Sequence, residues 1–239
     1  NDPARHDMQI ATKLLLLICT SVIVSCIAVA AISLYIFNNG FKKNVTNDLG
    51  YTADGVQLSA DDWESTLEGI VLALSDRPDI LQENFTGNYE NLQKTLKSKQ
   101  EALQIDILCV TDASGRIIAG SGENISSGMN VAENYCVQKA LKGASASSVE
   151  QFGAVDFAFI AAHPIYNGGQ IAGTIAAGYT LENFIDVVQK SYNVECTVFK
   201  NDMRICTTIK DKNGQTLAGT NLENENIKQT VLTQGETFT

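Results

Sequence analysis

The sequence predicts an α+β protein whose sheet forms in one run, and three observations carry that expectation. Apolar residues recur with helical spacing as far as Leu103, whereas alternation and hairpin turns dominate from Asp106 to Tyr179. After Tyr179 one more helix leads into a second hairpin. Ahead of all of this stands an uncharged apolar run, residues 14–37.

That run, LLLLICTSVIVSCIAVAAISLYIF, contains no Asp, Glu, Lys, Arg, His, Asn, Gln or Pro. About 20 apolar residues in a helix cross the hydrocarbon core of a bilayer, so the run predicts a transmembrane helix. It exceeds the roughly 7–15 residues of a signal-peptide core, and Ser33-Leu34-Tyr35 is no small-x-small cleavage site. Arg5 and Lys13 before the span balance Lys42 and Lys43 after it, so charge alone leaves the topology open. The formal net charge is −10. Asp2, Asp7, Arg5 and Lys13 cancel, so the whole of that charge lies beyond the span. Such acidity argues against nucleic acid and against adhesion to anionic lipid. With 44% hydrophobic residues and only 3 prolines, the chain is expected to build a core.

After the span, Asn38-Asn39-Gly40 is expected to loosen the helix. Two interleaved heptad sets follow: Leu49, Val56, Trp63 and Ile70, then Ala53, Ala60, Leu67 and Leu74. They predict an amphipathic stalk over residues 41–76, roughly 54 Å long at 1.5 Å per residue, stopped by Arg77-Pro78. A second helix is predicted over 89–103. A hairpin follows, residues 106–111 and 116–119, turning at Asp112-Ala113-Ser114-Gly115. Residues 120–130 read as a loop and 132–141 as a short helix ended by Gly143. Strands are predicted at 146–152, 155–165 and 170–179, the last two joined at Gly168-Gly169.

A helix over 181–192 leads to a hairpin of residues 196–199 and 203–209 with a three-residue turn at Lys200-Asn201-Asp202. Another turn is expected at 211–214 and a helix at 227–232. Residues 234–239 read as the start of a further strand with nothing to pair with in this sequence, which also begins at Asn1 rather than Met. On this reading the sequence is a fragment of a longer protein.

Taken in order, the run 14–37, the long helix, Val110-Thr111-Asp112-x-x-Gly115, Pro164-Ile165, Gly173 and Gly178 resemble a known family. It is the extracytoplasmic Cache (PAS-like) sensor region of bacterial methyl-accepting chemotaxis receptors and related sensor kinases. Residues 161–178, AAHPIYNGGQIAGTIAAG, are similar to the hairpin of that family. Residues 197–209 and Ala218-Gly219-Thr220 resemble the membrane-proximal module of tandem Cache receptors. The resemblance implies a cytoplasmic tail (1–13), a span (14–37), a helical stalk (38–105), a membrane-distal Cache unit (106–186) and a truncated membrane-proximal unit (187–239). It further implies a plasma-membrane sensor whose large part is extracytoplasmic, a homodimer, and a small-molecule ligand. A chemoreceptor is the first expectation for its output; a histidine kinase, a diguanylate cyclase or a non-sensing anchored ectodomain are the alternatives.

Strand alternation divides residues 155–165 into a bulky face (Val155, Phe157, Phe159, Ala161) and a smaller one (Asp156, Ala158, Ile160, Ala162). The bulky face is expected against the long helix and the smaller one beside the ligand. Candidate ligand contacts are therefore Asp156, Ile160 and Ala162, with Tyr135, Thr174 and Ser121 nearby. In relatives that sense citrate or C4-dicarboxylates, an arginine on this strand clamps carboxylate; Ile160 stands at that place here, which argues against a di- or tricarboxylate. The basic Arg and His those sensors carry after the first hairpin fall near Gly120–Gly122 here, and the amino-acid pattern of Tyr, Arg, Trp and Asp is not recognisable. Asp156, the one charged residue on the smaller face, could be solvated or could pair with an amine ligand. His163 falls on the bulky face and reads as structural.

Cys196 and Cys206 fall opposite one another across a three-residue turn. A disulfide and two free thiols are both compatible with the sequence. With 2 histidines and no C-x-x-C pair, neither a metal site nor a cofactor is expected. No G-x-S-x-G, H-E-x-x-H, phosphate-binding loop or paired-carboxylate motif appears, so no catalytic residue is expected and the chain is not read as an enzyme.

Overall fold

The computed structural model describes the backbone of residues 3–236 and 238; the side chains of residues 3–12, 14–19, 41–48, 83 and 85 lie outside the described set. The expected tail apart from Lys13, the first six residues of the expected span, Lys42 and Lys43, and Thr237 and Thr239 of the expected last strand fall there. The chain forms two compact units, residues 1–54 and residues 55–238.

The described residues of the first unit are helical, as the opening part of α1 (Pro3–Ser75). Thr20–Gly40 is long and apolar enough to cross a membrane, with mean hydropathy 2.3 and none of it buried. The helix runs on through Asn38, Asn39 and Gly40. Glycine in a helix interior costs about 1 kcal/mol relative to alanine and asparagine less, so the three lower helix propensity without interrupting the hydrogen-bond ladder.

In the second unit the heptad sets become a packed face. Val56, Ala60, Trp63, Leu67, Ile70, Val71 and Leu74 of α1 all contribute to the larger core. Leu49 is exposed, as is Ala53. After Arg77 a short helix that sequence periodicity missed, α2 (Pro78–Thr86), starts with proline at its first position and Asp79 in its first turn. Helix α3 (Tyr89–Leu103) is capped by Asn88, buries Leu92 and Leu96, and ends on Gln104 in the left-handed conformation.

A five-stranded antiparallel sheet follows: β1 (Ile107–Asp112), β2 (Ile117–Ser121), β3 (Ala146–Phe152), β4 (Val155–Asn167) and β5 (Gln170–Thr180), in spatial order β2-β1-β5-β4-β3. Helix α4 (Tyr135–Ala140) lies between β2 and β3 in the chain. At the β4–β5 turn Gly168 and Gly169 both take positive φ, which only glycine adopts at little cost. In the centre of the sheet, a Cβ on Gly173 would meet the Thr111 carbonyl, so β5 can lie against β1 only as glycine there.

The sheet separates two cores. On one face Leu108, Val110, Ala119, Phe159, Ala161, Ile165, Ile175 and Ala177 pack against α1, α3 and α5 (Leu181–Tyr192). Trp63 of α1 stands at the centre of this junction, with ring centroids 4.6 Å from Tyr179, 5.1 Å from Phe184 and 5.9 Å from Phe159. On the other face Ile107, Cys109, Ile117, Ala158, Ile160, Ala162 and Ala176 pack against Cys136, Val137 and Ala140 of α4.

The second hairpin, β6 (Thr197–Lys200) and β7 (Met203–Thr207), repeats the first at the level of individual hydrogen bonds. In β1–β2, Val110 pairs with Ala119 and Thr111 with Ile117, which leaves Ile118 as a bulge. In β6–β7, Val198 pairs with Cys206 and Phe199 with Arg204, which leaves Ile205 as a bulge. Ile117 N–H donates to the Met129 carbonyl at 2.8 Å and Gly128 N–H to the Ile117 carbonyl at 2.7 Å. Arg204 N–H donates to the Thr220 carbonyl at 2.9 Å and Gly219 N–H to the Arg204 carbonyl at 2.7 Å. Val131 N–H reaches Gly115 O at 2.9 Å, and Leu222 N–H reaches Asp202 O at 2.8 Å. Each loop then ends on an asparagine cap: Asn134 for α4, and Asn224 for α6 (Glu225–Ile227), which runs on as a π-helical turn over Lys228–Thr233. The expected helix at 227–232 is thus present in a different winding, and no strand is seen among the described residues of 234–238.

The hairpin turn is shorter than the sequence suggested. Asn201 takes φ of 57°, the turn proper is Asn201-Asp202, and Lys200 pairs with Met203. Cys206 therefore stands opposite Val198 and not opposite Cys196, whose carbonyl accepts from Thr208 N–H at 2.9 Å. Both thiols are free.

Candidate functional site: a polar cavity at the start of helix α4

Five residues between Ala140 and Ala146 bring the chain back from α4, so β3 runs close beside the helix it follows. Asn134, the N-cap, accepts from Val137 N–H at 3.3 Å, and its own amide donates to the Gln151 carbonyl at 3.0 Å. Glu150 of β3 completes the tie. Its carboxylate accepts from Tyr135 N–H at 2.7 Å, from Cys136 N–H at 3.1 Å and from the Ser148 hydroxyl at 2.9 Å. A carboxylate at a helix start satisfies orphan donors that would otherwise face the β-strand. The Cys136 thiol lies behind it, 3.1 Å from Ser148 Oγ and 3.3 Å from the Ile160 carbonyl. Burial first, and the neighbouring Glu150 second, push that thiol well above the ordinary cysteine range.

In front of this tie lies an open cavity of about 600 Å3, lined by Asn130, Val131, Glu133, Asn134, Glu150, Gln151 and Gly153. Gly153 has φ of 61°, and the Met129 thioether lies over it, so the β3–β4 turn is covered by the loop that precedes α4. Two carboxylates, two carboxamides and a side-chain or backbone amide from Gln151 line the space, with no basic side chain among them. The arrangement suits a neutral or cationic polar molecule better than an anion.

The residues singled out from sequence are placed differently from one another. Ile160 and Ala162 lie on the face that was expected to leave room for a ligand, yet both are fully buried against α4, with Ala158. The space between strand and helix is filled because Cys136, Val137 and Phe152 pack into it. Thr174 is buried too, and its hydroxyl meets that of Thr111 at 2.9 Å. Ser121 points to the other side of the sheet, where its hydroxyl bonds Gln100 of α3. Tyr135 and Asp156 are exposed. Tyr135 follows the cavity residue Asn134, and Asp156 comes three residues after Gly153. None of the six lines the cavity. Phe159 and Ala161 pack on the long-helix side as the bulky-face argument requires, and Phe157 packs beside them; Val155 sits instead with the α4 core. His163 is half-buried, with Nδ1 2.9 Å from the Pro164 carbonyl. Among the described residues no group of three or more His, Cys, Asp or Glu could hold a metal ion.

Glu133 and Glu150 were missed by the sequence reading, and one signal could have found the first of them. Glu133-Asn134 recurs as Glu223-Asn224 behind Asn130-Val131 and Asn221-Leu222, which marks the helix start as a repeated device.

Comparison with known proteins gives the fold its name. The sensor domain of the histidine kinase DctB from V. cholerae superposes with a TM-score of 0.56, covering 81% of this chain and 76% of that one at 12% identity. The sensory domain of the Campylobacter jejuni chemoreceptor Tlp3 with isoleucine bound gives 0.56, covering 81% and 79% at 15% identity. The fold is a PAS-like Cache fold. Residues 180–239, from the last residue of β5 through the second hairpin and the segment that follows it, match the family described as Single cache domain 3. A further similarity, 32% identity over 100 residues, is to the ribosomal protein uS12 methylthiotransferase RimO of a Sulfurovum species. It covers 36% of this chain and only 23% of that protein.

Proposed function

We propose that this chain is the membrane-anchored, extracytoplasmic sensor region of a bacterial receptor, and that it binds a small molecule in the cavity at the start of α4. The cavity carries the reading: in a fold shared with sensory ligand-binding domains, it is a roomy space with convergent polar groups. Glu133 and Glu150 favour a ligand that presents an ammonium or other donor group and disfavour di- and tricarboxylates. Asp156 and Tyr135 are the two residues of the sequence-based set whose exposure leaves them free to extend the contact. Ligand occupancy would pull on the Glu150 tie and thereby on β3, whose Ser147 hydroxyl bonds Glu68 of α1 at 2.6 Å. Only a ligand with different affinities for two arrangements of that tie could signal.

On this reading residues 14–37 are the anchor, residues 106–186 and 187–239 are two successive Cache units, and the protein is not an enzyme. The hydrogen-bond repeat between the hairpins supports the tandem arrangement. A homodimer through α1 is supported by exposed Leu58 and Leu72 and by an apolar hollow of about 350 Å3 beside Gly69, Ala73 and Leu103. A chemoreceptor is the output we favour. A histidine kinase is the second reading, because the DctB sensor domain fits the fold as well as the Tlp3 domain does.

A thermal-shift screen of the full chain in lipid nanodiscs, with free amino acids and polyamines as probes, tests the reading. A bound probe at a hundredfold over its Kd stabilises by about 2.7 kcal/mol. The expected result is a concentration-dependent rise in Tm with at least one probe. A flat response to all of them rejects the proposal and favours a non-sensing anchored ectodomain.

A further inference from the structure

We propose that the second hairpin carries a binding site for a small oxyanion, built on Arg204. The argument starts from the position-by-position repeat. Val198, Ile205 and Cys206 contribute to the same core as their counterparts Val110, Ile118 and Ala119. The opposite face differs. In the first hairpin it is Ile107, Cys109 and Ile117, all within the closed apolar core under α4. In the second the matching residues are Glu195, Thr197 and Arg204. An apolar interior face has become a polar one with a cation at the place of Ile117.

The guanidinium is fixed rather than free. Nη1 donates to Thr220 Oγ1 at 2.9 Å and to the Asn221 carbonyl at 2.8 Å, and the group lies over the Phe199 ring, 5.5 Å from its centroid. The Nε–H, on the other edge, is buried and has no acceptor among the described residues. A buried donor left unpaired costs about 1–3 kcal/mol, so an acceptor brought to it binds with that much already in hand. The Nε–Nη2 edge presents two parallel donors, the geometry that a carboxylate or a phosphate accepts in bidentate fashion.

The two acidic groups that flank the hairpin strands are engaged elsewhere. Glu195 accepts from the Thr208 hydroxyl and from Gln189, and Asp202 takes an ion pair with Lys228 at 3.3 Å. Arg204 is thus left as the fixed cation of the polar face. The site is independent of the α4 cavity and of the ligand read there.

Selective 15N-arginine labelling of the full chain in nanodiscs reads the Nε–H directly, because Arg204 shares the spectrum only with Arg5, Arg77 and Arg116. Acetate and inorganic phosphate are the probes, with chloride at equal ionic strength as control. The proposal expects a saturable downfield shift of the Arg204 Nε–H with acetate or phosphate; the tighter of the two names the oxyanion. Arg204→Lys keeps the charge and removes the fork, and should weaken the saturating probe roughly tenfold or more, read by calorimetry. The wild-type titration needs no variant, so it remains decisive even if Arg204→Lys perturbs the loop at Thr220. A shift that is linear in concentration and matched by chloride overturns the proposal, as does unchanged affinity in the folded lysine variant.

Discussion

The two hairpins share one hydrogen-bond skeleton and differ in what they place on it. Both pair through the same bulge, both hold the following loop by the same three backbone bonds, and both lead to an asparagine-capped helix start. The first is closed by α4 and by β4 and β5, with Ile117 buried at its centre. The second has Arg204 there, held by Thr220 and Asn221. Backbone geometry therefore sets where a side chain can stand, and the choice of side chain decides whether that place is core or site.

Exchanging those two residues breaks the comparison most severely. Ile117→Arg puts an unpaired charge into a sealed apolar core and should cost about 3–5 kcal/mol or abolish folding, measured by chemical denaturation. Arg204→Ile removes two hydrogen bonds from a partly open face and should cost about 1–3 kcal/mol. Equal costs would mean that the two faces are not environments of different kind.

Next in size is the junction that both hairpins share. Trp63→Ala removes a ring that contacts Phe159, Tyr179 and Phe184, and is expected to cost about 3 kcal/mol. Loss of less than about 1 kcal/mol would show that α1 is not part of the fold's core. The comparison can also be sharpened with the thiols. Cys206 is pushed up to about 12, chiefly by burial and then by Glu182, and Cys196 is raised by burial alone. Both should resist iodoacetamide at neutral pH until the chain unfolds, as followed by mass spectrometry. Rapid native-state labelling, or a mass 2 Da lower without reductant (two hydrogens lost on bridging), would contradict the register that sets Cys206 opposite Val198.

The smallest effect lies outside both hairpins. Asp79 is held down to about 2, first by its hydrogen bond to Arg77, with Lys99 adding to it. A carboxylate depressed on folding contributes stability that is present above its unfolded pKa near 4 and lost as pH falls toward 2. The group is partly exposed and screened, so Asp79→Asn should lower stability by less than about 1 kcal/mol at neutral pH. The difference should vanish near pH 2 in urea titrations. A difference that persists there would place the effect in packing rather than charge.

Much of this architecture was legible in the sequence. Strand β3 and helix α5 fall on the predicted residues, because Gly153 and Gly168-Gly169 mark the turns and Thr180 and Asn193 mark the helix ends. The stalk face was legible through its heptads, since burial of Trp63, Leu67 and Leu74 follows directly from helical spacing. What stayed hidden depends on tertiary contacts. Helix α2 has nine residues, too few to establish a period. The face of Ile160 and Ala162 reads as spacious in one dimension, and only the depth to which α4 sinks shows it filled. The cavity is assembled from residues up to 23 positions apart, Asn130 to Gly153, none of them in a recognised motif. Arg204 looks like an ordinary hairpin residue until its register against Ile117 is known.

The most direct measurement uses the intrinsic fluorescence of Trp63, the single tryptophan, in the full chain in nanodiscs. A probe that stabilises the chain in the thermal screen is titrated against wild type, Glu133→Gln and Asp156→Asn. The account predicts a saturable change in wild type and at least tenfold weaker binding in Glu133→Gln, roughly the loss of one charge-assisted hydrogen bond. Undiminished binding in Glu133→Gln, with or without a loss in Asp156→Asn, would contradict a ligand site at the start of α4.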